Sequence, residues 1–368
     1  MSDLIIPVVM PKWGLTMKEG LLAAWHVDEG DTINPGDEVM DVETDKIANV
    51  VEATESGLLR RKVGEEGKTY PCQAVLGVLA PEEVSDAEID EFLASYIIPE
   101  PDEEEEEAGP VYEFAELSFG KMRYEHRDGE GTPIILIHGF GGDLGNWIFN
   151  IDSLAAKSPV YAIDLPGHGQ SEKKIENPDL SFMVSSVIEL LDILKINKAH
   201  LIGHSMGGLI SSRVALDHPE KVESICLIGS AGLGKDINSD YIDGFVNSVN
   251  KKELKPKLSY LFADPSLVNR SMIDDLLKFK RLDGVDTFLK SLSKSLFPDG
   301  NQNSIISNDL GNLDKKILII HGEKDAIINS SHANSVSSAV LEIIPDAGHN
   351  VQLEQASKVN ELILNHIS

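Results

Sequence analysis

Residues 81–110 hold thirteen acidic side chains and no basic one, with Pro99, Pro101 and Pro110 around an unbroken acidic run from Asp102 to Glu107. Like charges at this density repel, and a block of like charge with prolines reads as a solvated linker in preference to a binding tail. No single core can run through it, so the 368-residue chain must fold as separate units on either side. The charge divides the same way. Residues 1–110 carry 27 acids and 7 bases, and the rest of the chain carries 34 acids and 25 bases. The net charge of −29 argues against nucleic acid as a partner and against binding to an anionic membrane surface. Val84, Ile89, Phe92, Leu93, Tyr96 and Ile97 recur at partial helical spacing, which predicts a short amphipathic helix ahead of the acidic run, able to dock on a neighbour. The hydrophobic share of 42% is ample for packed cores. Two cysteines, Cys72 and Cys226, without CxxC spacing exclude a disulfide scaffold and a zinc finger. No apolar run reaches the roughly 18 residues that span a bilayer. The first fourteen residues lack the basic and apolar regions of a signal peptide. The expectation is a cytoplasmic protein with reduced, buried thiols.

The first eighty residues repeat themselves at an offset of 37. Gly20-Leu21-Leu22 recurs as Gly57-Leu58-Leu59, and Glu29-Gly30 as Glu66-Gly67. Short apolar stretches alternate with turns such as Asp28-Glu29-Gly30-Asp31 and Asn34-Pro35-Gly36-Asp37, which predicts short strands in a quasi-symmetric, flattened barrel. Between the halves, Asp45-Lys46 reads as a hairpin tip, where a lone exposed lysine ordinarily serves solubility. The context is more specific: Met10-Pro11 near the start, Glu43-Thr44-Asp45-Lys46 at the tip, and Gly57 eleven residues after the lysine. Residues 3–79 thereby resemble the lipoyl domains of 2-oxoacid and acetoin dehydrogenase complexes. The resemblance implies an all-β lipoyl/biotinyl-type barrel with lipoate in amide linkage to Lys46. Biotinyl domains share the fold but usually place the lysine between two methionines; Asp45 and Ile47 flank it here.

From Pro133 the pattern changes. Ile134–Ile137, Val160–Ile163, His200–Ile202, Ser224–Ile228, Ile317–Ile320 and Leu341–Ile344 are continuous apolar runs, as strands buried on both faces of a parallel sheet require. Helical patterns such as Ser181–Leu194 and Met206–Leu216 separate them, giving the βαβ alternation of an α/β fold. Gly203-His204-Ser205-Met206-Gly207 lies between a strand and a helix, the setting of a nucleophile elbow. His138-Gly139-Phe140-Gly141-Gly142 ends the first strong strand and can turn a backbone N–H into a site. Asp325 and His349 each follow a predicted strand. The order Ser…Asp…His is that of the α/β-hydrolase superfamily, which residues 113–368 resemble; Asp164-Leu165-Pro166-Gly167-His168-Gly169-Gln170-Ser171 is a further hallmark. The resemblance implies a mostly parallel sheet, a helical cap over about 232–311, Ser205, His349 and Asp325 as catalytic triad, and the N–H groups of Phe140 and Met206 as oxyanion hole. It makes His168 structural. The cap carries eleven acids and eleven bases, with Lys251, Lys252, Lys255 and Lys257 clustered; these form a solvated helix face or a site for the phosphates of coenzyme A.

The expected organisation is a carrier over 1–80, an acidic linker over 81–112 with a short helix, and a hydrolase-type domain over 113–368. Fused in this order, the parts resemble the dihydrolipoamide acetyltransferase components of acetoin dehydrogenase complexes. They differ from pyruvate-type acyltransferases, whose His-x-x-x-Asp-Gly motif is absent. The resemblance implies transfer of acetyl from S-acetyl-dihydrolipoyl-Lys46 to coenzyme A through an acyl-serine, with no metal. The implied partners are a thiamine-diphosphate-dependent acetoin dehydrogenase component and dihydrolipoyl dehydrogenase, in a homo-oligomeric assembly. About thirty linker residues would reach at most ~100 Å. Two alternatives use the same residues: a lipoyl-tethered thioesterase or esterase, and a non-catalytic carrier and assembly subunit.

Overall fold

Each half of the N-terminal repeat contributes four strands, and neither half can bury its own apolar face. The computed structural model describes residues 4–12, 17–44, 48–98 and 112–368, in two units that divide at Pro110. The first half supplies β1 (Ile6–Val9), β2 (Glu19–Trp25), β3 (Thr32–Ile33) and β4 (Glu38–Glu43). The second supplies β5 (Ala48–Glu52), β6 (Gly57–Lys62), β7 (Lys68–Pro71) and β8 (Val75–Leu79). They form two sheets in the orders β1-β8-β6-β3 and β5-β4-β2-β7. Moving each strand four places on converts one order into the other, so the sequence repeat is a two-fold symmetry of strand pairing. Its contacts are duplicated as well. The Gly30 N–H donates to the Leu59 carbonyl at 2.8 Å, and the Gly67 N–H to the Leu22 carbonyl at 2.7 Å. Glu29 accepts from the Lys62 N–H and Glu66 from the Trp25 N–H. Leu22 and Leu59 meet in one core with Met10, Ile33, Met40 and Leu76. β4 and β5 pair antiparallel, and their ladder closes at Glu43 and Ala48. The four-residue connection between them contains Lys46, which lies outside the described residues.

The helix expected before the acidic run is α1 (Asp86–Ser95). Ser85 and Glu88 close a capping box at its start, satisfying N–H groups that a helix end otherwise leaves orphaned. Its neighbour is the β unit that precedes it. Ile89, Phe92 and Leu93 pack with Ile5, Val75, Val78, Ala80 and Val84. Arg60 and Arg61 pair with Asp86 and Asp90, and the Tyr96 hydroxyl donates to the Gln73 carbonyl at 3.1 Å. The first unit therefore continues well past residue 80.

The second unit opens with β9 (Tyr112–Leu117) and β10 (Gly120–Arg127), an antiparallel pair that the apolar runs of the sequence do not mark. Then come β11 (Ile134–Ile137), β12 (Val160–Ile163), β13 (Ala199–His204), β14 (Val222–Ile228), β15 (Lys316–Gly322) and β16 (Val340–Ile344). The sheet order is β16-β15-β14-β13-β11-β12-β10-β9. Pairing from β12 through β16 is parallel. The order reverses at β11, which lies between β12 and β13; open α/β sheets bind ligands at such a switch, beyond the carboxyl ends of the strands. Five α-helices between β14 and β15 form the cap: Ser239–Asn247, Lys251–Leu258, Arg270–Lys280, Val285–Leu296 and Ser307–Gly311. Cys226 is fully buried on β14, whereas Cys72 is only partly covered.

Candidate active site

Ser205 stands between β13 and helix α2 (Met206–Asp217) with φ 54° and ψ −117°. A non-glycine residue there is strained, so the surroundings must enforce it. The Ser205 N–H donates to the Ile228 carbonyl at 2.9 Å, and its own carbonyl accepts from Ala231 and Gly208. Strand and helix meet too closely for side chains at the flanking glycines. A Cβ on Gly203 would stand 2.2 Å from the Gly207 carbonyl oxygen, and one on Gly207 would stand 2.1 Å from that of Ile137.

His349 follows β16, and its Nδ1 lies 2.8 Å from Asp325 Oδ2, beyond the end of β15. Both side chains are essentially buried. Asp325 Oδ1 accepts from the N–H groups of Ile327 and Ile328 at 2.8 and 2.9 Å. Burial alone would raise the carboxyl pKa. The adjacent His349 and the hydrogen bonds from His321 and His349 outweigh it and hold Asp325 well below the usual carboxylate range. Asp325 is therefore an anion that accepts from His349 Nδ1–H, which makes Nε2 the acceptor nitrogen of the ring.

The backbone brings Ser205 and His349 to one place. A Cβ on Gly229, next after Ile228, would stand 3.3 Å from His349 Nδ1 and 3.5 Å from Asp325 Oδ2. His204 Nε2 donates to the His349 carbonyl at 3.0 Å, with ring centroids 4.8 Å apart. Burial, together with the charge of His349, pushes the His204 pKa down to about 3, so His204 is neutral and anchors its neighbour's backbone. Glu354 ties the same loop to the cap, accepting from Gly348 and Ala263 N–H groups at 2.8 and 2.7 Å.

Phe140 and Met206 flank Ser205. A Cβ on Gly139 would stand 3.0 Å from Ser205 Cβ, which puts the Phe140 loop against the elbow. Met206 opens α2, where backbone N–H groups lack intrahelical acceptors. The loop is held by two histidines. His138 Nε2 accepts from the Leu165 N–H, and His168 Nε2 accepts from the Gly141 N–H at 3.1 Å. The other ring nitrogens donate to the Gly139 and Pro166 carbonyls. Burial pushes His138 down to about 4 and His168 well below its ordinary value. Both are neutral, with every ring nitrogen engaged, so His168 holds the loop and moves no proton. The Phe140 ring meets Phe245 and Phe297 of the cap edge-on, at centroid distances of 5.8 and 6.1 Å.

Two of the four clustered cap lysines are already paired, Lys251 with Asp274 and Lys257 with Asp240. The site also contains partners that no sequence motif names: His321 on Asp325, His204 on His349, and Glu354 on Gly348. Only His321 has a local signal, at the end of β15 and four residues before Asp325.

Two family models match, that of the alpha/beta hydrolase fold over residues 132–356 and that of biotin-requiring enzymes over 6–79. The dihydrolipoyllysine-residue acetyltransferase component of the acetoin cleaving system of Cupriavidus necator is 47% identical, over 100% of this chain and 98% of its own. The protein of the same name from Pseudomonas putida is 47% identical over 97% of each chain. A crystal structure of a meta-cleavage product hydrolase (CumD) is 26% identical with TM-score 0.62, covering 69% of this chain and 97% of its own. With the carrier fold, the hydrolase fold and near-full-length identity to two such relatives, the chain belongs to the family of dihydrolipoyllysine-residue acetyltransferase components of acetoin-cleaving systems.

Proposed function

We propose that Ser205 relays an acetyl group from a lipoyl arm on Lys46 to coenzyme A, with His349 as its base and Asp325 as the anchor of that base. The enzyme class follows from family membership: this is an acyltransferase of α/β-hydrolase fold that carries a lipoyl-type module. One observation supports the residue assignment above the others. A serine held at φ 54° neighbours a buried imidazole–carboxylate pair whose Nδ1–Oδ2 bond makes Nε2 the acceptor nitrogen of the ring. Lys46 fits the prosthetic group, because it is the lysine of a four-residue connection closing an antiparallel ladder. When attached, lipoate supplies a thiol that carries acyl groups as thioesters.

His349 Nε2 takes the proton of Ser205 Oγ as the oxygen attacks the thioester carbonyl. The N–H groups of Phe140 and Met206 stabilise the oxyanion, each by about 3–4 kcal/mol. His349 returns the proton to the departing sulfur, leaving acetyl as an ester on Ser205. It then takes the thiol proton of coenzyme A, whose sulfur attacks the ester carbonyl, and passes that proton to Ser205 Oγ as acetyl-CoA departs. A thiamine-diphosphate-dependent partner that cleaves acetoin would load the arm, and dihydrolipoyl dehydrogenase would reoxidise it. Both would meet this chain as a homo-oligomer in the cytoplasm.

The acyl-serine step is tested by mass. Full-length protein given acetyl-dihydrolipoamide without coenzyme A is expected to gain an acetyl adduct on the peptide holding Ser205, and coenzyme A is expected to discharge it. An adduct that survives Ser205→Ala would contradict the assignment. Lipoylation is tested separately: Lys46→Arg is expected to remove the lipoyl mass from protein made in a lipoate-competent host, and an adduct that persists would refute Lys46 as the attachment point. Likeness of the catalytic unit to a hydrolase favours one other reading, in which water replaces coenzyme A.

A further inference from the structure

Asp325 Oδ2 faces two imidazoles, not one. His321 Nε2 lies 3.0 Å from it and 2.9 Å from the Ile328 carbonyl oxygen. Both neighbours are acceptors, so Nε2 carries the proton. The side chains of His321 and Asp325 are fully buried, and among the described residues His321 Nδ1 has no hydrogen-bond partner. We infer that His321 is a positioning residue of the reaction: its shared N–H fixes which carboxylate oxygen of Asp325 presents to His349. The inference rests on the reading of Ser205, His349 and Asp325 as the triad.

The carboxylate is held at both ends. Oδ1 is occupied by the Ile327 and Ile328 N–H groups, and Oδ2 by His321 and His349. Turning the carboxyl plane would break all four bonds, and without His321 one of the two Oδ2 contacts is gone. The other titratable groups around the pair are His204, His332, Glu354 and Asp236; among the described residues none of them donates to Asp325. The His321 N–H also withdraws charge from the oxygen that serves His349. Its removal therefore has two separable consequences. The carboxylate loses orientation, which lowers kcat. What charge still faces His349 is no longer shared, which favours the imidazolium and moves the acidic limb of kcat/KM to higher pH.

The test uses the full chain with free acetyl-dihydrolipoamide and coenzyme A, following acetyl-CoA across pH. His321→Leu is expected to lower kcat about tenfold and raise the acidic limb by about half a pH unit. His321→Gln keeps a donor and is expected to recover kcat to within about threefold with the limb restored. His321→Asn, whose shorter amide stops short of Asp325, replaces the leucine variant if that one does not fold. A donor-less variant with unaltered kcat and limb would overturn the inference. So would equal loss in the donor-less and glutamine variants with unmoved limbs, the mark of a packing defect. Ser205→Ala is run alongside: if it stays active, the triad reading itself fails. If it is inactive while the donor-less variant is unaffected, only the role of His321 fails.

Discussion

Ser205 is buried and held in strained backbone, and that strain makes a prediction in two directions. Glycine adopts φ 54°, ψ −117° freely. Ser205→Gly is expected to abolish transfer yet stabilise the fold by on the order of 1 kcal/mol, read as a rise in thermal midpoint. A lower midpoint would show that the elbow is unstrained or that Oγ contributes to folding. Asp325→Asn is expected to lower kcat by roughly 10³–10⁴-fold with little change in KM, because the amide favours the wrong tautomer of His349; a loss confined to KM would place Asp325 outside the chemistry. The residues that carry a motif are legible from spacing alone: Ser205 between glycines, Asp325 and His349 each just after a strand. The residues that hold them are not. Glu354 bonds Ala263 across 91 positions and His204 bonds His349 across 145, and no local pattern encodes which distant loops meet.

The element that most changes the picture is α1. Its apolar face is seated on the carrier, with Ile89 completely buried and Phe92 and Leu93 partly so. Ile89→Ala is expected to destabilise the first unit of the full chain by about 2–4 kcal/mol, measured by amide exchange in β1 and β8, while the second unit is unaffected. Unchanged exchange would mean that α1 adds nothing to the carrier. The helical spacing is visible in the sequence; the docking partner is not, since Val84, Ile89 and Phe92 fit any apolar surface. The buried parallel strands β11 to β15 are legible because continuous apolar runs have few other uses. β9 and β10 are hidden for the opposite reason. Glu113, Glu116, Lys121 and Arg123 interrupt their apolar residues, as expected of an antiparallel pair at a sheet edge.

At the scale of the molecule, the charge asymmetry and the buried histidines act on different parts. Ten of the eleven histidines lie in the second unit. Burial holds His138 at about 4 and His204 at about 3. In the unfolded chain both titrate near 6.5. As pH falls through 6.5 the unfolded state binds protons that the folded state refuses. Stability is therefore lost progressively down to about pH 4, by about 1.4 kcal/mol per histidine for each pH unit crossed. The second unit is expected to lose thermal stability over this window and the carrier, with only His26, to lose little. Equal losses would contradict the linkage. The docking of α1 also shortens the tether. The residues between Ile98 and Tyr112 reach at most ~50 Å, half the span suggested by a linker starting at 81, and still hold a carrier at an effective concentration on the order of millimolar. Shortening 99–110 is expected to slow transfer from the attached arm and spare transfer from free acetyl-dihydrolipoamide; equal loss in both assays would remove the tether from the mechanism. The central claim is that acyl groups leave Ser205 to a thiol and not to water. The most direct measurement quantifies acetyl-CoA and acetate from the full chain given acetyl-dihydrolipoamide, with and without coenzyme A. The account predicts acetyl-CoA as the dominant product, formed only with Ser205 intact, and little acetate. Acetate released at the same rate whether or not coenzyme A is present would contradict it.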